Sequence, residues 1–145
     1  MNPDLLREMD KSVKDCIADE NVGVIILTGA GEKAFIAGAD ITQIQGIKKR
    51  EDILGRALEG TRFISSLETG PKPIVAAING NCLGGGLEIA MACHYRVAVK
   101  GVNLGQPEVQ IGLIPGAGGT QRLPRLIGLR YALEMITIGK PIKAE

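Results

Sequence analysis

The chain has 145 residues, a net charge of +1, 45% hydrophobic and 23% charged residues, proportions that suit one globular domain. Near-neutral charge with two Phe, two Tyr and no Trp supplies neither a basic surface nor stacking platforms, so no nucleic-acid partner is expected. Apolar runs such as 73–78 are too short to span a bilayer. No basic segment followed by an apolar run opens the sequence, so the expectation is a cytoplasmic protein with no membrane partner.

Residues 3–20 are predicted to form an amphipathic helix with Leu5, Leu6, Met9, Val13, Cys16 and Ile17 on one stripe. Pro3 suits its first turn and Asn2 its cap. The β-branched run 23–28 (GVIILT), closed by Gly29-Ala30-Gly31, reads as a buried strand. A second amphipathic helix is expected over 50–68, with Ile53, Ala57, Ile64 and Leu67 inward, ended by Gly70-Pro71-Lys72-Pro73. Residues 74–78 (IVAAI) read as a second buried strand leading through Asn79-Gly80 to Gly84-Gly85-Gly86. A short helix over 87–92, a strand over 95–99 and a very short strand over 102–104 follow. Helices over 120–126 and 130–138, parted by Gly128, come last. Helices alternating with short buried strands predict an α/β fold with parallel pairing. There is no repeat at a fixed period and no internal domain boundary.

Cys16, Cys82 and Cys93 are odd in number, widely spaced and without a CxxC pair, and His94 is the single histidine. No metal site is expected from that set, and the thiols read as reduced, packed groups. His94, directly after an apolar helix, reads as a packing or surface residue more readily than as a base. The phosphate-cradling GxxxxGK[ST], the dinucleotide GxGxxG after a strand and the GxSxG elbow are all missing from the sequence.

Twenty glycines are about twice the usual share of about 7%. They group at 29–31, 84–86 and 116–119, which implies tight backbone sites on an ordered scaffold. Three corners pair glycine with polar groups: 33–40 (KAFIAGAD), 82–88 (CLGGGLE), and 104–108 (LGQPE) with 114–119 (IPGAGG). At the second, the unpaired N–H groups of a helix start are open to an anion. Glu88 falls on the first turn of that helix, and Glu108 lies one strand further along. A parallel crossover would bring the two carboxylates together, and repulsion would split their pKa values, which suits acid–base work on one water. Taken singly, the triplet also fits a plain tight turn and each glutamate a capping or solvated residue.

The stretches AFIAGADI (34–41), PKPIVAAINGNCLGGGLEIAMAC (71–93) and GQPEVQIGLIPGAGGTQRLPRLIG (105–128) together resemble the crotonase, or enoyl-CoA hydratase, superfamily. The likeness runs through essentially the whole chain, residues 1–145, as one crotonase-like core domain. It implies a crotonase-like spiral of β-β-α units with parallel sheets, truncated at both ends relative to the family. It also implies hydration of 2-enoyl-CoA thioesters to 3-hydroxyacyl-CoA. In that mapping the amides of Ala39 and Gly85 form the oxyanion hole, and Glu88 and Glu108 handle the water. Gly116 supplies an amide beside the water or acyl chain, and Ala39, Asp40, Ile41 and Thr42 line the bound CoA. Asp40 there structures its loop. No separate cofactor is implied, since coenzyme A is part of the substrate, and the full-length form is expected to be a homo-trimer or a dimer of trimers. Membership of a multifunctional β-oxidation polypeptide is also open. The alternatives are an enoyl-CoA isomerase of the same family and a non-catalytic acyl-CoA-binding remnant.

Overall fold

A computed structural model describes residues 3–38 and 50–145. After helix α1 (Pro3–Ala18), the chain winds through successive β-β-α turns. The first has β1 (Ile25–Thr28), β2 (Ala34–Ile36) and α2 (Arg50–Glu68). The second has β3 (Ile74–Ile78), β4 (Asn81–Leu83) and α3 (Gly85–Ala92). The third has β5 (Tyr95–Ala98), β6 (Asn103–Gly105), a 3-10 turn (Glu108–Ile111) and α4 (Gly119–Ile127), after which come α5 (Leu129–Ile138) and β7 (Ile142–Lys143). The first strand of each turn joins one sheet, ordered β1-β3-β5. The second strand joins another, ordered β2-β4-β6-β7. Each turn thus advances both sheets by one parallel strand, which is the expected spiral.

The pairing of β6 with β7 is antiparallel, a departure from the all-parallel expectation. Gly139, at φ 71°, closes α5 in the left-handed region and turns the chain back along β6.

The core lies where α2 and α3 pack against the sheets. Ile64 and Leu67 of α2, Ile74 and Ala76 of β3, and Ile89 and Ala90 of α3 are essentially inaccessible to water. α1 contributes buried Val13, with Leu6, Met9, Cys16 and Ile17 half-buried against the core, while Leu5 of the expected stripe is exposed. The α1 terminus is satisfied by Lys72, whose Nζ donates to the carbonyls of Cys16 at 2.9 Å and Asp19 at 2.6 Å.

α2 has the expected bounds, but its inward face is shorter than expected. Ala57, expected to face inward, is exposed, as are Leu54 and Leu58. The helix packs on α3, and the buried residues Phe63, Ile64 and Leu67 lie in its C-terminal half. The Ile53 side chain and Asn2 lie outside the described residues.

Candidate active site

Two crossings between the sheets create the site. At the first, the Asn79 amide grips the Gly29–Gly31 corner, accepting from Gly29 N–H at 3.0 Å and donating to the carbonyls of Gly29 at 2.9 Å and Gly31 at 2.5 Å. This locks the end of β3 to the loop that feeds β2. At the second, β4 runs into α3 through Gly84, which stands at φ 54°, a conformation that glycine adopts without strain. The Gly84 amide donates to the Gly105 carbonyl of β6 at 2.9 Å. That bond sets the start of α3 beside the segment carrying Glu108.

α3 begins at Gly85, two residues earlier than its expected start. All eight of its residues are buried, Glu88 among otherwise apolar ones. Gly86 permits its approach to β2: a Cβ there would stand 2.7 Å from Ile36 Cβ and overlap the Ile36 carbonyl oxygen. As the first helical residue, Gly85 has an amide with no acceptor inside the helix. The C-terminal end of α3 is closed by Arg96, whose Nη1 donates to the Cys93 carbonyl at 2.6 Å and to those of Ala90 and Met91, a cation at the negative end of the helix.

Glu88 is 3% exposed. Its Oε1 accepts the amides of Ala117 at 2.7 Å and Gly119 at 2.8 Å. Burial pushes its pKa above the ordinary carboxylate range, opposed by the Gly119 and Ala117 amides and by the Arg122 cation. Glu108, half-buried at the head of the 3-10 turn, is also raised. Burial dominates there, its own amide opposes, and the charge of Glu88 adds to the rise. The carboxylate of Glu108 lies over Gly84, with Oε1 3.0 Å from where a Cβ would be. The two glutamates therefore lie near each other beside the start of α3.

Sequence reasoning missed several supporting groups. Gln106 is fully buried; with its nitrogen turned to Glu108, it donates to Oε1 at 2.9 Å and Oε2 at 3.0 Å. The donors to Glu88 are Ala117 and Gly119, neighbours of the expected Gly116 in the same loop. Gly119 must lack a side chain, because a Cβ would stand 2.8 Å from the Gln106 amide and 3.0 Å from Glu88 Oε1. The glycine cluster at 116–119 was the available signal, but nothing in its spacing shows which amide meets which oxygen. Ala39, Asp40, Ile41 and Thr42 lie outside the described residues. His94 is a structural residue: its Nδ1 accepts the Ile74 amide at 3.2 Å.

The spiral of β-β-α turns, with two parallel sheets advancing strand by strand, is the architecture of the crotonase class. The chain belongs to the enoyl-CoA hydratase/isomerase family, whose model matches residues 1–145. It is 46% identical over 147 aligned positions to the short-chain-enoyl-CoA hydratase of Clostridium acetobutylicum, covering all of this chain and 55% of that one. The fatty acid oxidation complex subunit alpha of Shewanella frigidimarina is 46% identical over 139 positions, covering 94% of this chain and 19% of that subunit. The crystal structure of enoyl-CoA hydratase from Bacillus anthracis superposes with a TM-score of 0.92 at 43% identity, over 99% of this chain and 55% of that one. The chain thus spans about half the length of the hydratase relatives it matches. Among the described residues, no helix is long and apolar enough to cross a membrane.

Proposed function

We propose that this chain carries the hydration site for 2-enoyl-CoA thioesters, converting them to 3-hydroxyacyl-CoA. The observation that carries the reading is the nearness of Glu88 and Glu108, both raised in pKa, beside Gly85, whose amide has no acceptor within its own helix. Two carboxylates that differ in burial and partners divide acid and base roles between them.

In this reading the thioester oxygen is held by the Gly85 amide and, by the family mapping, the Ala39 amide. Polarising the carbonyl makes Cβ electrophilic and gives the intermediate enolate character. Each well-placed donor is worth roughly 2.7–4 kcal/mol to the developing oxyanion. Glu88 takes the proton of water as its oxygen attacks Cβ, and Glu108 delivers a proton to Cα from the same side. The close coupling of the pair makes the two titrations properties of the site as a whole. An isomerisation needs one group to move one proton between carbons. The presence of both carboxylates, each with its own hydrogen-bonded support, favours addition of water. A homo-trimeric assembly belongs to the same reading.

The test is loss of the enoyl absorbance of crotonyl-CoA. Glu88→Gln and Glu108→Gln are each expected to lose roughly 10²–10⁴-fold in turnover with unchanged circular dichroism. Near-normal turnover in either variant would overturn the role of that residue. Conversion of a 3-enoyl-CoA by a chain that does not hydrate crotonyl-CoA would establish the isomerase instead, and binding of CoA without turnover a non-catalytic module.

A further inference from the structure

Arg122, on the first turns of α4, is an arginine that no step above uses. Its side chain is only 13% exposed. Nη1 donates to the Ala117 carbonyl at 2.9 Å. Nε and Nη2 donate to Glu68 Oε2 at 3.2 and 2.8 Å. Glu68 ends α2, so the guanidinium ties that helix to the loop ahead of α4.

Residues 117–119 are thereby held from two sides. The Ala117 and Gly119 amides donate to Glu88 Oε1, and the Ala117 carbonyl accepts from Arg122. Gly118 stands at φ 102°, and a Cβ on it would overlap Arg122 Nη1. The loop is folded so closely around the guanidinium that a glycine is required at its turn. Both amides address one oxygen of Glu88, and no donor among the described residues addresses Oε2.

We propose that Arg122 is a positioning residue for Glu88, holding residues 117–119 so that their amides fix one carboxylate oxygen and leave the other for the reacting water. The inference rests on the role given to Glu88 above. The elements packed on α3 include β2, β4, α2 and α4. β2 brings no ionisable side chain, and the Cys82 thiol of β4 is pushed up to about 12 and stays neutral. Glu68 of α2 is paired with Arg122. Among the described residues, the cation that acts on Glu88 is Arg122, which lowers its pKa, and the repulsion between Glu88 and the nearby Glu108 falls on Glu108.

Carbon-13 NMR of glutamate-labelled protein, with the Glu88 signal assigned through Glu88→Gln, reads the inference without requiring turnover. In Arg122→Gln, Glu88 is expected to titrate at higher pH than in the wild type, because both the cation and the fixed amides are lost. Arg122→Lys restores the cation without the two-sided grip and is expected to fall between the two. If Arg122→Gln does not fold, the lysine variant alone carries the comparison. Where hydration is measurable, kcat is expected to fall roughly 10- to 100-fold with little change in KM, and the acidic limb of the kcat/KM profile to move to higher pH. A Glu88 titration unchanged in the folded variants would overturn the inference and leave only a structural brace. Absence of hydration by the wild type would overturn the proposed function, while the titration would still decide the role of Arg122.

Discussion

Gly86→Ala sets two effects of opposite sign against each other. Alanine is favoured over glycine by roughly 0.5–1 kcal/mol in a helix interior, an upper bound for Gly86 in the first turn of α3. Against that, the new methyl would stand 2.7 Å from Ile36 Cβ and 2.9 Å from its carbonyl carbon. Ordinary van der Waals contact begins near 3.5 Å. The obstruction is largely strand backbone, held by β2 pairing to β4, and cannot swing away as a flexible side chain would. Overpacking of this kind costs about 1–3 kcal/mol, and a backbone obstacle puts it at the upper end, so the variant should lose about 2 kcal/mol net.

Gly55 provides the matched control. It lies exposed in α2 with nothing within 4 Å of a built Cβ, so Gly55→Ala should gain about 0.5–1 kcal/mol. Conversion at roughly 2–4 °C per kcal/mol for a chain of this size separates the two variants by roughly 5–12 °C in Tm, with wild type between them. Thermal unfolding followed at 222 nm measures this. If Gly86→Ala melts with or above Gly55→Ala, then α3 does not lie against β2 as closely as described. The same displacement would move Glu88 and the Gly85 amide, so hydration should fall more than stability alone explains.

The raised carboxylates also predict a pH dependence of stability. Between the ordinary carboxylate pKa and the raised ones, the folded chain binds more protons than the unfolded chain. Their contribution is fully present below the ordinary value and is lost as pH rises through the raised pKa values. Glu88→Gln should therefore be more stable than wild type at pH above the raised pKa values, with the advantage vanishing near about pH 4; urea unfolding as a function of pH would show otherwise if the difference kept one size at every pH. Burial pushes the Cys82 thiol up to about 12 and Cys93 up to about 11, and thiolate is the reactive form. Neither should react with an aromatic disulfide reagent at about pH 8 until urea is added, and labelling of either in the native chain would contradict their burial.

Much of the framework was legible because it rests on local pattern. The run IVAAI fell on the bounds Ile74–Ile78, and the 50–68 helix on Arg50–Glu68. β2, β4 and β7 were not visible: with two or three residues each, they cannot display an alternation of period two. α3 was expected to start at Leu87 because two glycines open it, and glycine is a poor helix former. Burial against β2 overrides that propensity. The spiral hid from any search for a fixed repeat because its turns differ in length. Ile25 pairs with Ile74, whereas Val75 pairs with Tyr95, so the first turn is more than twice as long as the second.

The nearness of Glu88 and Glu108 was suggested by the order of the elements, but the bonds that produce it were not legible. Glu88 and Glu108 are separated by two strands, β5 and β6, and what joins them is the parallel pairing of β4 with β6 together with the bond from Gly84 N–H to the Gly105 carbonyl. A one-residue change of that register would carry Glu108 away from Gly84 and reverse the facing of β6. Spacing alone does not encode such a register. Tertiary packing does, through positions where a side chain cannot fit: Gly84 beneath Glu108, Gly86 against Ile36, Gly118 against Arg122, and Gly119 against Glu88 and Gln106. The high glycine content that first suggested tight backbone sites is therefore partly a record of how closely charged groups are packed. Each of these four glycines permits an approach that brings a carboxylate, an amide or a guanidinium to its place in the site.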